Sequence, residues 1–319
     1  MTIVVISTGG TIASTEDAGG DASPELTGED LVASVPGFDD QLSLRTEDFS
    51  NVPSAHFTVE QMHELSQLIA EYDSDDVVDG IVVTQGTDVL EESAYFVDRS
   101  YDGETPVVFT GAMRNPSLAS PDGPANLLTA VRTAQSEGAR GRGALVAFND
   151  RIHAAKYVTK TNSMNLDTFR SPEFGPLATR DEETIRWSVA TERTESVDID
   201  PAALTNEVVG ITVTADMHPS QIPAPDECAA VVLAATGAGH IPPKLIEPLE
   251  ALAEADIPLV ATTRCPEGRL ATDTYDFPGS EVTLQRLGCY YSERNLQKAR
   301  VETIVGLAGG GVGSVLSRP

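Results

Sequence analysis

Ile3-Val4-Val5-Ile6-Ser7-Thr8-Gly9-Gly10-Thr11 opens the chain with four apolar residues that run straight into hydroxyls and paired glycines. A continuous apolar run of this length suits a strand buried on both faces, the situation that helices on either side of a parallel sheet create. The unit recurs. Residues 81–83 lead into Thr84-Gln85-Gly86-Thr87-Asp88, residues 107–109 into Thr110-Gly111-Ala112-Met113, and residues 144–148 into Asn149-Asp150.

Between these runs lie helices with readable starts. Thr58-Val59-Glu60-Gln61 has the form of a capping box, and behind it Met62, Leu65, Ile69 and Tyr72 fall on one face. Asp122 is placed to cap a second helix, with Pro124 in its first turn and Leu127, Leu128, Val131 and Ala134 toward the core. Strand, turn, helix in repetition predicts an α/β chain. The pattern lapses into polar residues over 191–207 and restarts at Val208-Val209-Gly210-Ile211-Thr212-Val213. The expected organisation is a larger N-terminal domain over 1–190, a linker over 191–207 and a smaller C-terminal domain over 208–319. Each is expected to be a mostly parallel sheet flanked by helices. The second domain should hold strands over 229–235 and 258–261 and helices over 243–255 and 295–307. Its glycine-rich tail, residues 309–313, lacks GxxxxGK and reads as a loose end.

Composition excludes several classes of function. Lysine and arginine number 21 against 49 acidic residues, so the net charge of −28 repels phosphate backbones and anionic lipid. Neither nucleic-acid nor membrane-surface binding is expected, and no apolar run approaches the ~20 residues of a bilayer span. With 40% hydrophobic residues the chain is not a disordered acidic segment. The spread of acids predicts a protein from a salt-rich cytoplasm whose stability rises into molar salt. The N-terminus has no basic region of a signal peptide, which again points to the cytoplasm. Cys228, Cys265 and Cys289 show no CxxC spacing and read as small core residues. Glu91-Glu92, Asp75-Asp76 and Glu182-Glu183 read as solvated acidic faces.

In an open parallel sheet, ligands gather at the carboxyl ends of the strands. There the paired glycines leave Thr11 accessible. From that loop alone a phosphate cradle or a plain strand-to-helix turn fits as well. The second loop adds Thr87 beside the carboxylate of Asp88. Two threonines without a phosphate signature suggest acyl chemistry, and a hydroxyl needs a base before it attacks. Lys160, in Tyr157-Val158-Thr159-Lys160-Thr161-Asn162, is one of four lysines in the chain, and a desolvated lysine can serve as that base. No GxSxG elbow and no HExxH occur, and His56 and His63 stand seven apart. Gly237-Ala238-Gly239 fails as a dinucleotide fingerprint because Pro242 stands where the third glycine belongs.

Taken together, Thr8-Gly9-Gly10-Thr11-Ile12-Ala13, Gln85-Gly86-Thr87-Asp88, Thr110-Gly111-Ala112-Met113-Arg114, Asp122-Gly123-Pro124-Ala125-Asn126-Leu127 and Val158-Thr159-Lys160-Thr161-Asn162 resemble the successive signatures of the L-asparaginase family of threonine amidohydrolases. The resemblance continues to Gln297-Lys298-Ala299-Arg300. It implies hydrolysis of L-asparagine to L-aspartate and ammonia through an acyl intermediate on Thr11, with Thr87, Asp88 and Lys160 as the second catalytic group and no metal or organic cofactor. It implies that Ser54 helps hold the substrate carboxylate, that Asp88 meets its ammonium, and that the Ala112 carbonyl lies near the reacting amide. It also implies a homo-oligomer, a tetramer built as a dimer of dimers, in which His240 and Glu281 reach a neighbour's site.

Two departures stand out. The segment from Ser14 to Val35 has no tyrosine where the family's lid supplies one, leaving Ser23, Glu25, Thr27 or a water to assist Thr11. Ala55 stands where familiar bacterial members have glutamine, which implies weaker substrate binding. The rival readings are an amidase component of tRNA-dependent amidation and a non-catalytic amino-acid-binding module. The first is disfavoured because the first motif begins at residue 7, leaving no room for the extra N-terminal domain.

Overall fold

The computed structural model describes residues 1–10, 12, 14–16, 22–24, 27–35 and 42–319, with the backbone alone for 14–16 and 22–24. It divides into two compact units, Met1–Ser196 and Val197–Pro319.

The first unit runs β1 (Thr2–Ser7), β2 (Ser14–Glu16), β3 (Ala22–Pro24), α1 (Gly28–Ala33), β4 (Ser43–Asp48), α2 (Val59–Asp73), β5 (Gly80–Thr84), α3 (Leu90–Ser100), β6 (Val107–Thr110), α4 (Gly123–Ala134), β7 (Ala144–Phe148), β8 (Arg151–Ala154), β9 (Thr159–Lys160), β10 (Phe169–Arg170), β11 (Ala178–Asp181) and β12 (Thr184–Trp187). Among the described residues, eight of these strands form one sheet in the order β12-β11-β8-β7-β6-β5-β1-β4. Its β4, β1, β5, β6 and β7 run parallel, and β8, β11 and β12 join antiparallel. β1, β5 and β6 are buried along their whole length, as their uninterrupted apolar runs require. α2 starts at the Thr58–Gln61 capping box, closed in both directions, and buries Val59, Met62, Leu65 and Ile69.

Three local expectations are corrected here. Residues 144–148 do not lead into a helix. Asn149 and Asp150 take positive φ values of 49° and 57° and turn the chain back into antiparallel β8, because a two-residue hairpin turn matches strand twist when both residues are left-handed. Asp122 does not cap α4; it accepts the amides of Met113 and Arg114 at 3.1 and 2.8 Å instead. Glu91 is no solvated acid, since only 3% of it is exposed.

Asp98 on α3 is fully buried, accepting the Ala144 amide at 3.0 Å and the Thr194 hydroxyl at 2.6 Å. It thus ties residue 194 to the first unit, as does Arg193, which donates to the Asp102 and Gly103 carbonyls. Burial pushes the Asp98 carboxyl up, against the lowering effect of its two donors. A carboxyl raised in the folded state holds its proton where the unfolded chain has lost it, so its contribution to stability falls as pH rises from the ordinary value of about 4 through the folded one. Asp98→Asn is expected to remove that decline, since the amide can still accept from Ala144 and donate to Thr194. Asp98→Ala leaves the buried Ala144 amide unpaired at about 1–3 kcal/mol and frees the part-buried Thr194 hydroxyl. Denaturant titrations of the three proteins across acidic to neutral pH check the difference. A decline of equal slope in Asp98→Asn and the parent would contradict it.

The second unit runs β13 (Val208–Thr212), β14 (Ala230–Ala235), α5 (Ile246–Glu254), β15 (Leu259–Thr263), α6 (Glu281–Arg286), β16 (Tyr290–Tyr291) and α7 (Leu296–Ala308). Its four strands are parallel in the order β13-β14-β15-β16. The core gathers Val231 and Leu233, Leu249 and Leu252 of α5, and Leu284 of α6. The glycine-rich tail is not loose: Gly311 donates to the Gly306 carbonyl at 2.8 Å and a single turn follows over Val312–Ser314. Cys228 and Cys289 are core residues, but Cys265 is exposed.

Candidate active site

Pairing between the parallel strands brings Ser7, Thr84 and Thr110 side by side at one edge of the first unit's sheet. The loops that leave these residues therefore meet. Thr8 donates both its amide and its hydroxyl to the Thr84 carbonyl, at 3.0 and 3.1 Å, while Gln85 donates its amide to Thr110 at 2.9 Å. Gly9 and Gly10 hold φ values of +90° and +86°, a region that suits glycine. A Cβ on Gly10 would lie 2.3 Å from the Gly86 backbone, and one on Gly111 would lie 2.3 Å from the Gln85 carbonyl oxygen. The three loops are thus in backbone contact, and no side chain fits between them.

Ser54 pins the same place from below. Its hydroxyl donates to the Gly86 carbonyl at 2.6 Å and accepts the Val89 amide at 3.1 Å. To donate to a substrate carboxylate, the hydroxyl would have to release Gly86. Ala112, 1% exposed, sits on the third loop, whose backbone is held from the start of α4. Asp122 accepts from Met113 and Arg114, and Asn126 donates to the Gly111 carbonyl at 3.0 Å and to Asp122 at 3.0 Å. The conformation of the third loop is thereby fixed by the Asp122-Gly-Pro-Ala-Asn126 stretch.

The second loop and β9 bring Thr87, Asp88 and Lys160 together. Lys160 Nζ donates to Thr87 Oγ1 and to Asp88 Oδ1, both at 2.8 Å. The lysine side chain is 16% exposed and that of Asp88 64%, so the carboxylate faces water while the amine is mostly enclosed. A shallow pocket lined by Asp88, Lys160, Thr161, Asn162 and Ser163 opens beside them. An amine on a threonine hydroxyl can pass a proton in either direction, and a carboxylate at its side is suited to an ammonium group of a ligand.

Thr11 lies outside the described residues, as do Glu25 and the side chain of Ser23. Thr27 is described and is occupied as the cap of α1, accepting from the Asp30 amide and donating to its carboxylate at 2.7 Å. In the second unit, His240 and Glu281 are neighbours, with Nε2 and Oε2 3.8 Å apart. Glu281 is fully enclosed and turned inward, accepting the amides of Thr274, at 2.6 Å, and Tyr275. Burial opposes its ionisation, but those amides and His240 outweigh it and hold the carboxyl below its usual range. His240 rests against the rings of Tyr275 and Phe277, at centroid distances of 4.7 and 5.0 Å. Among the described residues no three His, Cys, Asp or Glu side chains gather as ligands of a metal ion would. No described helix is long and apolar enough to cross a membrane.

Glu91, which the sequence reading set aside, also belongs to this neighbourhood: its carboxylate accepts the main-chain amide of Lys160 at 2.8 Å. No local pattern marks it, because α3 is buried on nearly every side rather than along one stripe.

Residues 2–193 match the family model described as Asparaginase, N-terminal, and residues 207–312 the one described as Glutaminase/Asparaginase C-terminal domain. An L-asparaginase of Bacillus licheniformis is 32% identical over 308 residues, covering 96% of this chain and 95% of that protein. L-asparaginase 2 of Escherichia coli (strain K12) is 32% identical over 315 residues, 94% of this chain and 86% of that one. Among solved structures, a probable cytoplasmic L-asparaginase from Campylobacter jejuni matches with a TM-score of 0.85 at 28% identity, over 98% of this chain and 97% of its own.

Proposed function

The chain belongs to the asparaginase family, and from that premise we propose that it hydrolyses L-asparagine to L-aspartate and ammonia through an acyl ester on Thr11. The observation that carries the reading is the contact of two glycine loops. Gly10, which precedes Thr11, abuts Gly86, which precedes Thr87, and Lys160 sits on the Thr87 hydroxyl.

The Thr11 hydroxyl attacks the side-chain carboxamide carbon, forming a C–O bond as its proton leaves. Amides of the glycine loops receive the developing negative charge on the carbonyl oxygen. The C–N bond then breaks, and the leaving nitrogen takes a proton to depart as ammonia. Water cleaves the ester, giving aspartate and restoring the Thr11 hydroxyl. Lys160 moves protons through Thr87, and Asp88 meets the substrate ammonium. Ser54, on releasing the Gly86 carbonyl, and the Ala112 carbonyl complete the binding group, and Ala55 leaves it one polar contact short.

In this reading the working form is a homo-oligomer, a tetramer as a dimer of dimers. Residues 191–207 connect its domains, and His240, backed by Glu281, reaches a neighbour's site. The net charge of −28 supports a protein of a salt-rich cytoplasm. The test is ammonia release from asparagine and from glutamine, in dilute buffer and in molar salt, with the melting temperature followed in parallel. Asparagine is expected to release ammonia, and both rate and melting temperature are expected to rise with salt. No ammonia from asparagine at any salt concentration contradicts the activity. Insensitivity to salt contradicts the halophilic part alone.

A further inference from the structure

Lys160 is held at both ends by one five-residue stretch. Its Nζ donates to Thr87 Oγ1 and Asp88 Oδ1, and its main-chain amide donates to Glu91 Oε2, each at 2.8 Å. Thr87 and Asp88 lie in the loop after β5, and Glu91 is in the first turn of α3. β9, which carries the lysine, is only two residues long and pairs with an equally short β10. Bonds from the Thr161 amide and hydroxyl and the Asn162 amide to Thr168 brace this hairpin internally, but none of them reaches the loop that the lysine must meet.

Glu91 supplies what β9 lacks. Its side chain is buried, in a helical first turn where a carboxylate is favoured by the exposed amides and the helix dipole. Keeping a carboxylate there is costly unless it is hydrogen-bonded, and the amide it accepts belongs to the residue whose amine reaches Thr87. We propose that Glu91 is a positioning residue. By gripping the Lys160 main chain, it sets the distance at which the amine meets Thr87 and Asp88, and it touches neither substrate nor reacting atoms. The proposal rests on Lys160 being the proton carrier of the reading above.

Three variants of the full chain test it. Glu91→Met fills the space without an acceptor, Glu91→Asp keeps the charge but withdraws the oxygen by one methylene, and Glu91→Gln keeps an acceptor at full length. Two readouts are used: hydrogen exchange at the Lys160 amide, and kcat with KM for asparagine. Glu91→Met and Glu91→Asp are expected to speed exchange at least about tenfold and to lower kcat about ten- to a hundredfold with KM within about twofold, because displacement of a reacting group by an ångström costs on that order. Glu91→Gln is expected to recover most of both losses. Unchanged exchange in Glu91→Met and Glu91→Asp, equal kcat losses in all three variants, or a loss confined to KM overturns the proposal. If the parent protein fails to hydrolyse asparagine, the functional reading falls, and the exchange measurement still decides whether Glu91 holds the lysine.

Discussion

Lys160→Met is expected to lower kcat for asparagine about 10²- to 10⁴-fold, the range a positioned proton carrier contributes, with KM and melting temperature close to the parent's. The fold should survive because the lysine's ion pair is half in water. Asp88 is 64% exposed, and exposed pairs of this kind contribute about 0–1 kcal/mol. The main-chain amide of residue 160 keeps its acceptor, Glu91, and methionine matches lysine in length while removing the amine. Thr87 Oγ1 then loses the amine through which, among the described residues, it exchanges a proton. Lys160→Arg separates the two roles of the amine. Guanidinium keeps the charge beside Asp88 but does not give up its proton, so Arg should be as poor as Met if proton movement matters. Near-parental kcat in Lys160→Arg would mean that the positive charge alone suffices.

Gly10→Ala is expected to be as damaging to activity and, unlike the lysine change, to destabilise the first unit. The new Cβ would lie 2.3 Å from Cα and N of Gly86, backbone atoms that cannot rotate away. The left-handed φ of +86° adds roughly 1–2 kcal/mol for a residue with a side chain. The two loops must therefore part, and an ångström of separation between Thr11 and Thr87 costs on the order of a hundredfold in rate. Gly175→Ala is the control. It has a φ of +71° with nothing within 4 Å of the added carbon, so it carries the conformational cost without the collision. Gly175→Ala should leave kcat/KM within about threefold of the parent, against a loss of about a hundredfold or more in Gly10→Ala. Unfolding by a unit of this size shifts by about 2–4 °C per kcal/mol, so calorimetry can rank the two. Equal effects of the two substitutions on activity would mean that the contact of the loops is not what aligns the threonines.

Much of the architecture could be read from local chemistry. The apolar runs at β1, β5 and β6 became buried parallel strands, and Thr58 and Gln61 closed their capping box, because both patterns depend on residues adjacent in sequence. Lys160 could be singled out because the chain has so few lysines, and the structure brings it to Thr87 and Asp88. What escaped depends on how the chain turns back on itself, bringing in partners from six to 69 positions away. Asn149 and Asp150 suit a loop before a helix as well as a hairpin, and only the pairing of β7 with β8 decides between them. Asp122 has a cap residue's identity, but the amides of Met113 and Arg114, nine and eight residues earlier, take its carboxylate. Glu91 looked like one more acid on an acidic surface; its acceptor role requires residue 160 to lie beside it, 69 positions away. Glu281 is likewise engaged by amides of a loop whose path composition does not reveal.

The most direct test of the threonine mechanism is to mix the protein with asparagine, quench in acid within a turnover, and map added mass by peptide mass spectrometry. An aspartyl group on the peptide containing Thr11, absent from Thr11→Ala and lost on a time course matching turnover, is the predicted result. Steady ammonia release with the aspartyl group on another residue, or undiminished release by Thr11→Ala, would contradict it.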